Sequence, residues 1–482
     1  LKTLTDEITV FNSGTHDEKN TDDIFCYRIP ALFQTTTGPL IAGGDERRNQ
    51  YADFGDIAMV IRRSLDNGKS WEEKITILDL RRNPQAEDPE VDGPFLIDMA
   101  LVQHPKSGRI FALYDLFPEI KGLWGMTETY EPPFVEIDGV MYQALYTDDR
   151  VDESAPYTIR DGGIVYDPTG TPTDYRIITH PTEPTYSDYG NILRRNEVVG
   201  NIFFITNKTA PFRIAKTAHI HYSYSDDAGK TWSAPHNIAG QLTSSHMNFH
   251  GIGPGAGITL THPPYPGRIV IPTYTTNWIS HLEGSQSSRV IYSDDHGHTW
   301  HCGQAVNDGR ILDNGERIHS ATMAHQEAQN SEASVVETSH GDLLLFMRNL
   351  TGHVQMARST DGGASWHNQP ENNIISFEAV PDVYVQLSAI QTIYHEQEYI
   401  LLANAQGPDR NNGYIHIAEV DASGNLHWHH HRQINTGKFA YNSLQELAPG
   451  TFGLLYETVD DTHNDYQLKF QTFSLAELLQ KH

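Results

Sequence analysis

The sequence predicts an all-β protein built from a repeated strand–turn unit, and three observations carry the prediction. One pattern, S-x-D-x-G-x-[ST]-W, occurs four times: SLDNGKSW from Ser64 to Trp71, SDDAGKTW from Ser225 to Trp232, SDDHGHTW from Ser293 to Trp300, and STDGGASW from Ser359 to Trp366. Each copy follows a short run of β-forming residues: AMVIRR, HIHYSY, RVIY and HVQMAR. Helical periodicity is nearly absent from the chain. The pattern reads as a tight turn. Its Asp can accept backbone N–H bonds, its Gly can take a positive φ, and its Trp can pack the turn onto the body.

The spacing of the turns sets the architecture. The second and third start 68 residues apart and the third and fourth 66, whereas the first and second start 161 apart. A repeat of about 67 residues leaves about 95 extra residues in the long gap, and the remainder is close to six repeats. The chain is therefore expected to form a six-bladed β-propeller of four-stranded blades, residues 1–116 and 211–482, with an inserted β-rich lobe at 117–210. The inserted stretch changes character: EPPF, DPTGTPTDY and HPTEPTYSDYG are rich in Pro, Tyr and Asp, between β runs such as VMYQALY and NIFFITN. A rival count hides an unmarked blade in the gap beside a smaller insertion. Only the C-terminal SLAELLQKH reads as helical, with Ser474 as N-cap and Glu477 three residues on.

A chain of 482 residues can bury a large core. Its formal net charge of −28 argues against nucleic acid and anionic membrane as partners. No run of eighteen apolar residues occurs, so no transmembrane helix is expected. The chain starts at Leu1 without a signal-peptide pattern and is expected to be an excised or processed segment. Its two cysteines, Cys26 and Cys302, make neither a disulfide framework nor a metal cluster. The densest histidine run, His427 to His431 around Trp428, alternates like a solvated hairpin, so no metal site is expected there. Asn207-Lys208-Thr209 and Asn349-Leu350-Thr351 match the glycosylation sequon, a pattern too short to carry weight.

Ahead of the first turn stands CYRIPAL, with Arg28 between an aromatic residue and Ile29-Pro30. An R-I-P tripeptide followed by several such turns resembles the sialidase (neuraminidase) family, and most closely the large secreted exo-α-sialidases of Gram-positive mucosal bacteria. The resemblance covers essentially the whole chain, including the inserted lobe. It implies a glycoside hydrolase without cofactor or metal, which removes terminal sialic acid from glycans and glycoproteins by a retaining route through a covalent sialyl-tyrosine.

Sialic acid carries a carboxylate on its anomeric carbon. A guanidinium fork makes paired bonds to a carboxylate and stays charged. By motif, the family's three clamping arginines match Arg28 in YRIP, Arg348 in FMRNLTG and Arg410 in NAQGPDRNNG. Arg28 and Arg348 sit in largely apolar β-type runs, where an unpaired charge would be costly. The family's nucleophile matches Tyr441 in FAYNSLQE. A neutral phenol avoids the repulsion that a carboxylate nucleophile would meet at this carbon. Its ordinary pKa is near 10, so it needs a base. Glu332 in QNSEASVVE matches the glutamate that takes the proton, with nearby arginines expected to stabilise the phenolate. Sialidases with a tyrosine nucleophile depart in this way from the two-carboxylate pattern of most glycosidases.

The general acid/base matches Asp53 in YADFGDIAMV, with Asp56 as the alternative nearest to it. It must be protonated to help the leaving group depart, so burial or negative neighbours are expected to raise its pKa. Arg47 in GGDERR, beside Arg48, matches an arginine that reaches sugar hydroxyls near C4. Ile29, Asp98 in LIDMAL, Tyr274 in IPTYTTN and Gln286 in GSQSSR match positions that line the sugar pocket. Leu123-Trp124-Gly125-Met126 reads as an apolar wall that the inserted lobe brings to the acetamido methyl, with lobe core as the other reading of Trp124. Asp66, Asp227, Asp295 and Asp361 belong to the outer turns and are structural.

Relatives that transfer the sialyl group onto its own 7-hydroxyl carry a bulky aromatic after the nucleophile. The corresponding ETVDDTHNDY has Thr462 and His463 and no Trp, which favours hydrolysis. The rival readings are intramolecular transfer, elimination to an unsaturated sugar, a non-catalytic sialic-acid-binding propeller, and a propeller scaffold without a sugar site. The matches to acid, nucleophile and helper glutamate argue against the non-catalytic propeller. The protein is expected to be extracellular, secreted or attached to a cell surface, and to act as a monomer without membrane insertion.

Overall fold

The computed structural model describes residues 6–84, 86, 93–126, 129–147, 155–205, 210–366 and 374–480. Among them, six sheets follow one another as blades, antiparallel but for a short parallel pairing of Gly255–Ala256 with Phe95–Gln103, and a seventh sheet interrupts blade 2. Blade 1 is Cys26–Gln34, Leu40–Arg47, Ile57–Ser64 and Ile75–Leu78. Blade 2 opens with Phe95–Gln103 and Ile110–Phe117, and resumes with His219–Ser225 and His236–Asn237. Between its halves lies a seven-stranded sheet from Phe134–Ile137 to Glu197–Asn201, each strand paired with the next along the chain. The long gap between the first two turns therefore holds this sheet and no hidden blade. The inner strand pairs of blades 3 to 5 are Met247–Ile252 with Ile269–Asn277, Asn330–Glu337 with Leu343–Asn349, and Ser388–Tyr394 with Gln397–Ala405. Blade 6 is Asn442–Ala448, Thr451–Thr458 and Gln467–Ser474, completed by the N-terminal strand Ile8–Phe11. That pairing, Ile8 opposite Phe470, joins the two ends of the chain in one sheet.

The core is a ring of apolar layers between blades. Successive side chains of a strand point to opposite faces, so a strand covered on both faces must be apolar throughout. YILLAN in blade 5 follows this rule: Ile400 and Leu402 pack with Leu344 and Phe346 of blade 4, while Leu401 packs with Phe452 and Leu454 of blade 6. Leu455 and Phe470 of blade 6 meet Leu32 and Val60 of blade 1, which closes the ring. The layer between blades 1 and 2 also takes Ile177, Ile192 and Phe203 from the inserted sheet, so the insert shares its core with the propeller.

The four marked turns follow the third strands of blades 1 to 4. In the first, Ser70 N donates to Asp66 Oδ1 at 2.9 Å, Gly68 N donates to Ser64 Oγ at 2.8 Å, and Gly68 has φ 87°. Trp71 Nε1 donates to Gly68 O at 3.1 Å. The second and third repeat the scheme, and in the fourth Trp366 Nε1 donates instead to Gln304 O. The histidine run lies on the outer strand of blade 5, Leu426–Lys438, with alternating exposure. Ser474 and Glu477 form the expected capping box at Leu475–Leu478. Asn349 is buried and its amide donates to His353 O, so it is closed to glycosylation, and the sequon at 207–209 lies outside the described residues. Among the described residues no helix is long and apolar enough to cross a membrane.

Trp300 is 2 % exposed and meets the rings of Phe111 and Tyr222. Trp300→Ala should lower the unfolding free energy by about 3–5 kcal/mol, read from a urea titration. A loss below about 1 kcal/mol would mean that the turn does not anchor the blade.

Candidate active site

One register in the repeat supplies a polar residue to the axis from every blade. The second strands carry LIAGGD, IFALYD, IVIPTY, LLLFMR, YILLAN and FGLLYE. The sixth residue of each run is Asp45, Asp115, Tyr274, Arg348, Asn404 and Glu457. The first strands meet the same rim from the other direction. Three of them break register there, between Arg28 and Ala31, Ile97 and Ala100, and Asn330 and Ala333. A bulge re-aims side chains, and these carry Arg28, Asp98 and Glu332 to one mouth. Ile29 has φ 63° and Asp98 has φ 65°. Asp tolerates that conformation, but a β-branched residue there costs about 1–3 kcal/mol and persists only where the surroundings hold it.

A cavity of about 830 Å³ opens at this rim. Its walls include Arg28, Arg348, Arg410, Asp53, Glu332 and Tyr441, together with Asp98, Tyr274 and Gln286. Tyr441 Oη donates to Glu332 Oε1 at 2.6 Å. Arg348 Nη1 donates to the same Glu332 oxygen at 2.5 Å and to Tyr441 Oη at 3.1 Å. The guanidinium carbons of Arg28 and Arg410 lie 5.3 and 5.8 Å from the Tyr441 ring centre. Thus three arginines from blades 1, 4 and 5 surround a phenol from blade 6 that is already bonded to a carboxylate.

Glu457 fixes this arrangement. It accepts from Arg28 Nε at 2.7 Å, Arg28 Nη2 at 3.0 Å, Ile29 N at 3.0 Å and Tyr441 N at 2.9 Å. The same bonds hold Ile29 at its unusual φ. Burial works against the charge on Arg28, but Glu457 more than offsets it and keeps the guanidinium charged. Arg348, half-buried, is likewise held charged against desolvation, by Tyr441 and Glu332.

The titration of the phenol differs from expectation. Burial pushes the Tyr441 pKa well above its ordinary value, and Glu332 pushes it further; Arg348 and Arg410 pull it down without cancelling the rise. At rest the proton stays on Tyr441 and points at Glu332. Asp53 also departs from expectation, in the opposite sense. Burial tends to raise its pKa, but Arg47 and Arg28 outweigh burial and hold it below the ordinary carboxylate value. Its side chain is 55 % exposed, 2.7 Å from Arg47 and 3.8 Å from Arg28.

Arg47 and Ile29 do not line the cavity. Arg47 is fully buried. Its Nη1 donates to Tyr51 O and Asp53 Oδ1, and its Nη2 donates to Asp45. The guanidinium expected to reach sugar hydroxyls is thus spent on the Asp53 loop. Arg48 pairs with Glu46, Asp56 and Asp79, so Asp56 is tied up on the far side of that loop. Trp124 is 73 % exposed and lines the cavity beside Leu123, so it is not lobe core. Sequence reasoning passed over Glu457, Asp115 and Tyr384, over whose ring Arg348 lies at 4.0 Å. For Glu457 and Asp115 the missing signal was the shared sixth position of the second-strand runs. Among the described residues no group of three or more His, Cys, Asp or Glu is placed to hold a metal ion, and Cys26 and Cys302 are free thiols.

Asp98 and Asp115 also line the cavity. Burial raises both pKa values well above the ordinary range, helped for Asp98 by Glu332 and Asp45. A carboxyl raised on folding binds more protons folded than unfolded, so its stabilisation is present below about pH 4 and is lost as pH rises through the folded pKa. Asp98→Asn should therefore flatten the decline of stability with rising pH above about 4, measured by urea titration across pH. An unchanged slope would show that Asp98 ionises freely.

Residues 183–454 match the BNR repeat-like domain family. The anhydrosialidase of Macrobdella decora is 27 % identical over 97 % of this chain and 62 % of its own length. Sialidase B of Streptococcus pneumoniae is 25 % identical over 94 % of this chain and 63 % of its own length. This chain thus spans less than two thirds of either relative. Among solved structures, the intramolecular trans-sialidase of Ruminococcus gnavus superposes with a TM-score of 0.76 at 23 % identity, over 98 % of this chain and 99 % of that one. The chain belongs to the BNR repeat-like domain family.

Proposed function

We propose that this protein is an exo-α-sialidase that hydrolyses terminal sialic acid from extracellular glycans and glycoproteins with retention of configuration. The observation that carries the proposal is the contact of Tyr441 with Glu332 at 2.6 Å inside a cavity walled by three arginines. The substrate carboxylate binds Arg28, Arg348 and Arg410 in paired, charge-assisted bonds. Its charge offsets the arginines that hold Asp53 ionised. Substrate also displaces water from an exposed side chain. Both effects raise the Asp53 pKa, so the acid becomes protonated in the complex. Asp53 gives its proton to the glycosidic oxygen as the aglycone departs. Tyr441 passes its proton to Glu332 and bonds to C2, because the phenol is too weak an acid here to ionise beforehand. Water, deprotonated by Asp53, then attacks C2 and releases sialic acid and Tyr441, which recovers its proton from Glu332.

A second reading is internal transfer onto the 7-hydroxyl. It is favoured by the names of two relatives, an anhydrosialidase and an intramolecular trans-sialidase. Against it stands the loop after the nucleophile, where His463 faces Asp460 and Asn12 in place of an aromatic shield. Mass spectrometry of the released sugar separates the two: hydrolysis gives sialic acid, and internal transfer gives a product lighter by one water.

Sialic acid release from 3′-sialyllactose should fall by about 10²–10⁴-fold in Asp53→Ala. Tyr441→Phe should lose at least as much. Equal background from wild type and both variants would reject the enzyme reading in favour of a binding propeller. Because kcat reports the complex and kcat/KM the free enzyme, the alkaline limb of kcat should lie at higher pH than that of kcat/KM. Coincident limbs would contradict the proposed rise of the Asp53 pKa on binding.

A further inference from the structure

We propose that the turn Lys121–Met126, which leads into the inserted sheet, is a positioning element for Asp53, with Gly122 as the point of contact. This rests on the assignment of Asp53 as general acid. Asp53 lies in a stretch, residues 51–56, that belongs to no strand or helix. Arg47 holds it from one side, through the Tyr51 carbonyl at 2.6 Å and the Asp53 carboxylate at 2.7 Å. Gly122 presses on it from the other. Gly122 has φ +55°, and a Cβ there would stand 2.9 Å from the Asp53 carbonyl oxygen and 3.5 Å from Phe95 Cζ. Only a hydrogen atom fits between the turn and the acid loop. Phe54, the next residue, packs into the same apolar cluster as Ile120, Leu123 and Met126. The insert thus grips the loop at a backbone carbonyl and at a side chain. Two residues past Gly122, Trp124 presents an exposed ring at the cavity wall. One turn therefore sets the reach of the acid and shapes the mouth through which the aglycone leaves.

The consequence is specific. A general acid works only within about 2.6–3.2 Å of the oxygen it protonates. A displacement of about 1 Å can cost about 10²-fold. A sugar alcohol needs that proton in order to leave, whereas a stabilised phenolate does not. Damage at Gly122 should therefore appear on natural sialosides and be nearly silent on aryl sialosides. A merely structural role would lower both alike.

The test measures kcat/KM for lactose release from 3′-sialyllactose and for umbelliferone release from the 4-methylumbelliferyl sialoside. It compares the wild-type chain with Gly122→Ala and Gly139→Ala, each checked by melting temperature. Gly139 is the control: it sits in a hairpin of the same insert at φ +81°, with open space where a Cβ would go. Gly122→Ala should lose about 10–100-fold on sialyllactose and less than about threefold on the aryl substrate. Gly139→Ala should keep the wild-type ratio. Equal loss on both substrates, or no loss on either, overturns the inference. Should Gly122→Ala fail to fold, Gly122→Asn tolerates the positive φ while keeping a Cβ against Asp53, and the same ratio decides. In an Asp53→Ala background the folding Gly122 variant should cost nothing further on sialyllactose, and a further loss overturns the inference. A wild-type chain that releases neither leaving group refutes the sialidase reading itself, and this inference with it. An active wild type with an unchanged ratio in the variant refutes only the positioning role.

Discussion

One carboxylate organises the site. Glu457 accepts four hydrogen bonds, two from the Arg28 side chain and one each from the backbone of Ile29 and Tyr441. It is fully buried at the seam between blade 6 and blade 1. A buried carboxylate is tolerated only when its lone pairs are matched, and this one is matched by the Arg28 guanidinium and by the main chain of Ile29 and Tyr441. The pairing converts a cost of burial into geometry. Arg28 and Tyr441 are separated by most of the sequence, yet they share one anchor. Closure of the propeller by the N-terminal strand holds the two sides of that seam together.

Around this anchor the charges are sorted. Arginines ring the phenol, while Asp98 and Asp115 line the same cavity and resist ionisation. A ligand that carries one carboxylate and neutral polar groups fits such a field. The chain's net charge of −28 does not oppose this, because at physiological salt a field decays within about 8 Å. Tyr441 and Asp53 are shifted in opposite directions. The Tyr441 phenol is raised above its ordinary value, and the Asp53 carboxyl is held below its own. For Asp53 a carboxylate bound on the arginines would supply the missing negative charge, whereas the Tyr441 proton is directed at Glu332.

Much of the fold was legible because its signals are local. Asp, Gly and Trp at fixed offsets dictate a turn by hydrogen bonding and φ alone, and the spacing of four such turns counts blades. Arg28, Arg348, Arg410, Glu332 and Tyr441 stand in motifs, and the structure gathers them in one cavity. What was not legible depends on distances between remote segments. Glu457 looks ordinary in LLYETVDD, and only its register against Arg348 and Asp115 marks it. Arg47 carries the expected residue type at the expected place, but Asp45 and Asp53 claim its guanidinium. The directions of the Asp53 and Tyr441 shifts turn on how many arginines approach each group, which no motif records. The role of Gly122 follows from a backbone contact across the junction with the insert.

The central claim is that Tyr441, relieved of its proton by Glu332, forms the bond to the sugar. A 3-fluorosialosyl fluoride reacts at C2 and, because its ring fluorine slows release, leaves the glycosyl-enzyme trapped for peptide mapping by mass spectrometry. The account predicts the adduct on the peptide that carries Tyr441, and none in Tyr441→Phe. An adduct on Asp53 or Glu332, or no adduct on an enzyme that turns over sialosides, would contradict it.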